Sequence, residues 1–262
     1  MTIDRSKRVT FEENADIYDE IASDYPEELV QDILSRSGIA SDGRILEIGC
    51  GSGNATVSFA ARGYRILGIE LGERLAALAS QKCRPYPGVM ILNTAFEDWQ
   101  LQENAFDVAL AADAFHWISP EIGYPKVAAA LKNTGSLNYF WSVPVDPETD
   151  WSKAIHTAYQ EIAPQFTNPD KRFTAEWLIG VITKNIDAVG CFGEVTAKQY
   201  FWSVSLSGDQ YIKGLRTFSM HKDMATAQRE KLYSRIRESI DKFGGRIVQP
   251  RSVVLFHSKV KK

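Results

Sequence analysis

Two glutamates and three glycines stand out in this 262-residue sequence as residues whose types and spacing suit ligand chemistry. In the stretch RILEIGCGSGNAT, Arg44 to Thr56, an apolar run is interrupted by Glu47 and then breaks into Gly49, Gly51 and Gly53 at alternate positions. Glycine accepts positive φ and lets a ligand lie directly against the backbone. A plain strand-to-helix turn needs far fewer glycines, so the pattern points to a nucleotide cradle. Two familiar cradles do not fit. The dinucleotide fingerprint G-x-G-x-x-G asks for a third glycine where Asn54 or Thr56 stands, depending on register. A P-loop asks for Gly-Lys-Ser/Thr, which is absent. What stands is E-x-G-x-G-x-G, and a carboxylate at a strand end would repel a pyrophosphate.

Such residues need a sheet with helices on both faces to position them. Apolar runs at 44–49, 65–70, 89–94, 106–112 and 137–143 predict strands, with helices between them at 54–62, 72–83 and 120–132. Continuous apolar strands separated by helices indicate a parallel sheet buried on both sides. Upstream, Thr10 to Glu13 has capping-box form, and Ala15, Tyr18 and Ala22 follow at helical spacing. A second helix is predicted from Pro26 to Gly38. Nine acidic residues and no Lys or Arg lie between Phe11 and Asp32, which predicts a solvated face. Beyond Pro144, helices are expected at 150–164 and 173–188, the latter with Trp177, Leu178, Val181 and Ile182 on one side. A strand at 194–206 follows, then a helix at 225–243 striped by Leu232, Ile236, Ile240 and Phe243, then a strand at 251–260.

The bulk numbers restrict function less sharply. A hydrophobic content of 44% with 24% charged residues describes an ordinary globular chain. A net charge of −3 argues against a general nucleic-acid binder. Cys50, Cys83 and Cys191 form no C-x-x-C pair, so neither a zinc site nor a disulfide framework is indicated. His156 and His257 show no metal spacing, and no metal is expected. The polar opening MTIDRSKR and the lack of a ~20-residue apolar run point to a cytoplasmic protein with no membrane association.

The glycine pattern resembles motif I of the class I S-adenosylmethionine-dependent methyltransferases, and residues 10–143 agree with that family in order and spacing. The resemblance implies an α/β, Rossmann-like, doubly wound, mostly parallel seven-stranded sheet. N-terminal helices would precede it, and helical insertions would interrupt its C-terminal half, similar in layout to trans-aconitate methyltransferases. It implies one domain over 1–262: a helical cap at 1–40, a cofactor-binding core at 41–143, and an acceptor side at 144–262. Gly49, Gly51 and Gly53 would then cradle the methionine tail of S-adenosylmethionine, and Glu47 would face its amine through backbone or water. Glu70, ending the second strand, would hold the ribose hydroxyls beside Leu71. Phe96 would wall the adenine, with the Ala95–Glu97 backbone or the Glu97 carboxylate as polar partner. Tyr18 and Tyr25, seven apart, would close over the cofactor if their helix continues.

The family resemblance places the acceptor at the ends of the fourth and fifth strands, where the sequence reads DAFHW. Asp113, Phe115, His116 and Trp117 are the expected pocket. His116 either takes a proton, orients the acceptor or merely lines the site, its reference pKa of ~6.5 suiting the first role. Arg216 and His221, within YIKGLRTFSMHKDM, suit a carboxylate acceptor if that insertion caps the pocket and a solvated helix if it does not. Methyl transfer to an O, N or C atom of a small molecule, by a monomer or homodimer, is the resulting expectation. The alternatives are an NAD(P)-dependent oxidoreductase, disfavoured by the missing glycine and by Glu47, and a non-enzymatic binding module.

Overall fold

The computed structural model describes residues 25–145, 147–167 and 174–261. The expected helix over 10–22, with Tyr18, lies outside them. Seven strands form one sheet in the order β3-β2-β1-β4-β5-β7-β6. They are β1 (Arg44–Ile48), β2 (Arg65–Glu70), β3 (Val89–Asn93), β4 (Phe106–Ala112), β5 (Leu131–Val143), β6 (Thr196–Ser207) and β7 (Arg246–Lys259). The first five run parallel, and β7 runs antiparallel to both of its neighbours, β5 and β6. The chain builds outward from β1 to β3, then returns to place β4 on the other side of β1. That reversal makes a switch point between the carboxyl ends of β1 and β4.

Alternation along each strand explains why the central runs are apolar throughout. Leu46, Ile48, Leu67, Ile69, Ala109, Ala111, Leu137 and Tyr139 fill a cluster on one face. Ile45, Ile66, Val108, Leu110 and Phe140 fill a second cluster on the other. Helices α1 (Glu27–Ser37) and α2 (Asn54–Ala60) cover the second face through Leu29, Val30, Ile33 and Phe59. The first is covered by α4 (Pro120–Ala130) and α6 (Ala175–Val189) through Tyr124, Val127, Leu178, Ile182 and Ile186. Between β2 and β3 runs α3 (Glu73–Lys82).

α1 starts one residue later than expected, with Pro26 just outside it at the N-cap position, and Gly38 ends it at φ 65. The described part of the acidic run is only partly solvated. Glu28 and Asp32 hold Lys198 of β6 at 2.9 and 2.7 Å, and the Tyr200 hydroxyl donates to Asp32 at 2.6 Å. These contacts tie α1 to the far edge of the sheet.

Two strands are longer than their sequences suggest. β5 starts at Leu131 because a register irregularity opposite Phe106 and Val108 absorbs the turn-like Asn133-Thr134-Gly135. β7 starts at Arg246 and runs through Pro250, which is tolerated because only β6 pairs with that stretch; β5 joins from Ser252 onward.

The two insertions pack on each other. Helices α5 (Asp150–Ile162), α7 (Gly208–Thr217), α8 (Ser219–Lys222) and α9 (Thr226–Asp241) lie there, and Ile155, Ile212, Leu215, Leu232, Tyr233, Ile236 and Ile240 form a third cluster. The segment read as a solvated helix therefore buries one side. Phe243 does not continue the α9 stripe, since the helix ends at Asp241 and Phe243 is 41% exposed. Among the described residues, no helix is long and apolar enough to cross a membrane.

Ile236 is fully buried at the centre of this third cluster. Replacing it with alanine removes the transfer term and leaves a cavity, a loss of ~2–5 kcal/mol. Chemical denaturation of Ile236→Ala should show a correspondingly lower midpoint than wild type.

Candidate active site

The glycine turn is built around backbone conformations that side chains resist. Gly49, Gly51 and Gly53 all have positive φ, at 68, 56 and 85°. At Gly49 an added Cβ would also stand 2.4 Å from the Ala114 Cβ, so the turn packs directly against the end of β4. The Gly51 N–H is aimed at β2 and donates to Glu70 Oε2 at 2.8 Å. From the other side, the Gly72 N–H donates to Glu70 Oε1 at 2.8 Å. Glu70 is 8% exposed.

A crevice opens over this turn. Four loops at strand ends line it: Gly49 and Gly51 after β1, Glu70 and Leu71 after β2, Thr94 to Glu97 after β3, and Asp113, Ala114 and Trp117 after β4. Three carboxylates, Glu70, Glu97 and Asp113, are among its described lining residues, and no Lys, Arg or His is.

Asp113 has φ 50, a strained value for a non-glycine residue. Its carboxylate accepts from Ser142 N at 2.6 Å, Ser142 Oγ at 2.7 Å and the Tyr25 hydroxyl at 3.4 Å. Burial raises its pKa against these bonds. Tyr25 packs edge-on against Phe140 and so touches the crevice through Asp113.

Phe96 is 4% exposed and serves as both core and crevice wall, stacked on Trp99. Lys126 lies over both rings and donates to the carbonyls of Glu97 and Trp99 at 2.8 and 2.6 Å. The Ala95 carbonyl accepts from the amides of Asp98 and Trp99. Within the Ala95–Glu97 backbone, the carbonyls of Ala95 and Glu97 are thus already engaged.

Glu47 is not in the crevice wall but behind the turn. It is 1% exposed, and both oxygens lack a hydrogen-bond partner among the described residues. The Thr56 hydroxyl faces it from α2 but falls short of bonding geometry. Burial pushes its pKa up to about 7, against a smaller pull from that hydroxyl, and the Glu70 charge adds to the rise.

The 3-10 turn Phe115–Trp117 separates the expected acceptor residues. Trp117 faces the crevice, whereas Phe115 and His116 face an adjoining pocket with Tyr124, Tyr139 and Trp141. Ile118 lines both spaces. The His116 ring lies flat on Trp141, with centroids 4.1 Å apart and planes at 8°. Burial pushes its pKa down to about 4, and Nδ1 has no partner among the described residues. His116 is therefore neutral near pH 7, and a weaker base than its type suggested.

Arg216 and His221 join neither space. The Arg216 guanidinium forks onto Glu230 at 3.1 and 3.0 Å and lies over the Tyr233 ring. His221 is 1% exposed in the third cluster, between Phe166 and Tyr233, and its Nε2 meets the Tyr159 hydroxyl at 3.1 Å. The cations that suggested a carboxylate acceptor are spent on partners inside the insertions.

Sequence reasoning missed Tyr139, Trp141, Trp177 and Asn185 as pocket residues. Tyr139 and Trp141 alternate at the carboxyl end of a parallel strand, a signal that was available. Trp177 and Val181, read as one side of an amphipathic helix, line the same pocket.

The strand order, the glycine turn and the acid ending β2 define a Rossmann-like fold of the class I methyltransferase type. Residues 45–135 match a family model described as a methyltransferase domain. An uncharacterized methyltransferase of Mycobacterium tuberculosis is 28% identical over 152 residues, covering 58% of this chain and 59% of the relative. A probable S-adenosylmethionine-dependent methyltransferase of Saccharomyces cerevisiae is 24% identical over 149 residues, covering 55% of this chain and 50% of that protein. The chain thus spans between half and three fifths of the length of these curated relatives. A putative type II methyltransferase from Anaeromyxobacter dehalogenans superposes with a TM-score of 0.61 at 20% identity, over 91% of this chain and 96% of that one. Haemonchus contortus phosphoethanolamine N-methyltransferase 2, solved with S-adenosyl-L-methionine, gives 0.56 at 14% identity, over 100% of this chain and 61% of that one. At such identities the likeness is one of fold.

The buried Glu47 has a consequence for stability. From about pH 4.5 to 7 the folded chain keeps a proton there that the unfolded chain has released, so its contribution falls as pH rises. The full span is roughly 3 kcal/mol. Urea midpoints at pH 5 and pH 8 should show this loss in wild type and not in Glu47→Gln.

Proposed function

We propose that this protein transfers a methyl group from S-adenosylmethionine to a small-molecule acceptor. The observation that carries the reading is the charge of the crevice: Glu70, Glu97 and Asp113 line it without a described cation, over a turn of three positive-φ glycines. A pyrophosphate would be repelled there. A cofactor with a cationic amine, a cationic sulfonium and a ribose is attracted, and a structural neighbour solved with S-adenosyl-L-methionine supports this choice. The dinucleotide alternative loses ground on the same observation.

The residues present fit the group. Glu70 would accept the two ribose hydroxyls, its carboxylate fixed in place by the amides of Gly51 and Gly72. Phe96 would cover one face of the base, with Glu97 at its amine. Gly49 and Gly51 would lie along the methionine tail, and Glu47 behind them would stabilise the ammonium electrostatically from the layer beneath. The bound group supplies a methyl already activated on sulfur, so the protein's task is alignment and exclusion of water. Trp117 and Ile118 shield that region, and Asp113, fixed by Ser142, holds the loop after β4 in place. His116 orients the acceptor rather than deprotonating it in advance.

Titration calorimetry tests the reading directly. S-adenosylmethionine should bind saturably and NADH should not; the reverse would refute it. Glu70→Ala should weaken S-adenosylmethionine by ~2–4 kcal/mol, two charge-assisted bonds' worth, with circular dichroism unchanged. Because burial holds His116 neutral down to about pH 4, the pH profile of kcat should show no limb near 6.5.

A further inference from the structure

We infer that the acceptor is an uncharged molecule with a flat, apolar body and a hydroxyl group, held in the pocket between the 115–118 turn and α6, with the hydroxyl oxygen as the methylated atom. The inference rests on the methyltransferase reading above and adds the substrate class.

The pocket shares Ile118 with the cofactor crevice. No Lys, Arg, Asp or Glu is among its described lining residues. Its walls are aromatic and aliphatic, with Tyr124, Trp141, Trp177 and Leu178 prominent. Aromatic walls favour a flat ring that can stack or meet them edge-on. A carboxylate or ammonium placed there would lose its hydration with no described counter-ion in the lining.

Two polar atoms in this lining are buried without a hydrogen-bond partner among the described residues: His116 Nδ1 and the Tyr139 hydroxyl. Tyr139 is fully buried. The His116 backbone N–H approaches its oxygen but falls short of bonding geometry. Each unmade bond costs ~1–3 kcal/mol, so two on residues that line one pocket mark a place for a ligand's polar group, reached by a small side-chain shift. The pair also specifies that group. A phenolic O–H donates, and a neutral imidazole with its proton on Nε2 accepts at Nδ1. A hydroxyl can take the first bond and give the second at once. A carboxylate has no proton to give, and an ammonium has no lone pair to receive.

The low basicity of His116 is compatible with this chemistry. As the hydroxyl oxygen forms its bond to the methyl carbon, the carbon–sulfur bond breaks and its electron pair stays on sulfur, leaving a neutral thioether. The hydroxyl proton becomes strongly acidic only as the third bond to oxygen forms. It then passes to Nδ1 and on to water, leaving a neutral methyl ether.

The test uses the full chain and three probes on one frame: 2-naphthol, 2-naphthoate and naphthalene. Calorimetry in the presence of S-adenosylhomocysteine should give 2-naphthol an affinity at least tenfold above 2-naphthoate. Tyr139→Phe keeps the ring and removes the hydroxyl. It should weaken 2-naphthol about tenfold, equivalent to ~1.4 kcal/mol, and leave naphthalene unchanged. With tritiated S-adenosylmethionine, label should appear on 2-naphthol as the methyl ether and not on 2-naphthoate. Equal or tighter naphthoate binding, no binding of naphthol, unaltered naphthol affinity in Tyr139→Phe, or label only on naphthoate would each overturn the inference. Should S-adenosylmethionine bind while naphthol fails these criteria, the acceptor class falls and the methyltransferase reading stands. Should naphthol meet the binding criteria while S-adenosylmethionine does not bind, the methyltransferase reading falls, and with it the assignment of this pocket to a methyl acceptor.

Discussion

Glu70 accepts two backbone amides at once, from Gly51 and Gly72, and the arrangement of the site depends on that bridge. It joins the end of β2 to the turn after β1 and to the start of α3. Burying a carboxylate is unfavourable unless charge-assisted bonds compensate, and these two contribute to that compensation. The amide of Gly51 reaches it only because the turn runs through positive φ. An acid at the end of β2 and glycines after β1 are therefore one structural unit rather than two motifs.

The loop after β4 divides the remaining work. One residue, Trp117, turns toward the acidic crevice, and its neighbours Phe115 and His116 turn toward an uncharged pocket. Asp113, held in a left-handed conformation by Ser142, sets the point where the chain leaves the sheet. An acidic and an uncharged environment thus lie on two sides of a single short turn, and Ile118 marks where they meet. The insertions contribute α6 to the pocket wall, while α5, α7 and α9 are occupied with their own core.

Much of the sheet and of the crevice was legible in the sequence because the signals are local. Alternating glycines, the acid ending the next strand and apolar runs punctuated by helices each lie within a short window. The misread elements depend on distant partners. Arg216 looks free until Glu230, on another helix, is seen to hold it, and His221 looks polar until Tyr159 and Tyr233 enclose it. Tyr139 and Trp141 were read only as strand because apolar periodicity reports burial, not which buried face ends at a cavity. Pro250 hid the start of β7, since a sequence does not reveal that only one neighbouring strand pairs there.

The preponderance of acid over base in the crevice bears on turnover as well as on binding. Demethylation converts a sulfonium into an uncharged thioether, and attraction between unit charges a few ångströms apart near a protein surface is on the order of a few kcal/mol. On the proposed reading, then, the spent nucleoside loses the sulfonium's share of its electrostatic hold at the moment the reaction finishes, which favours its release.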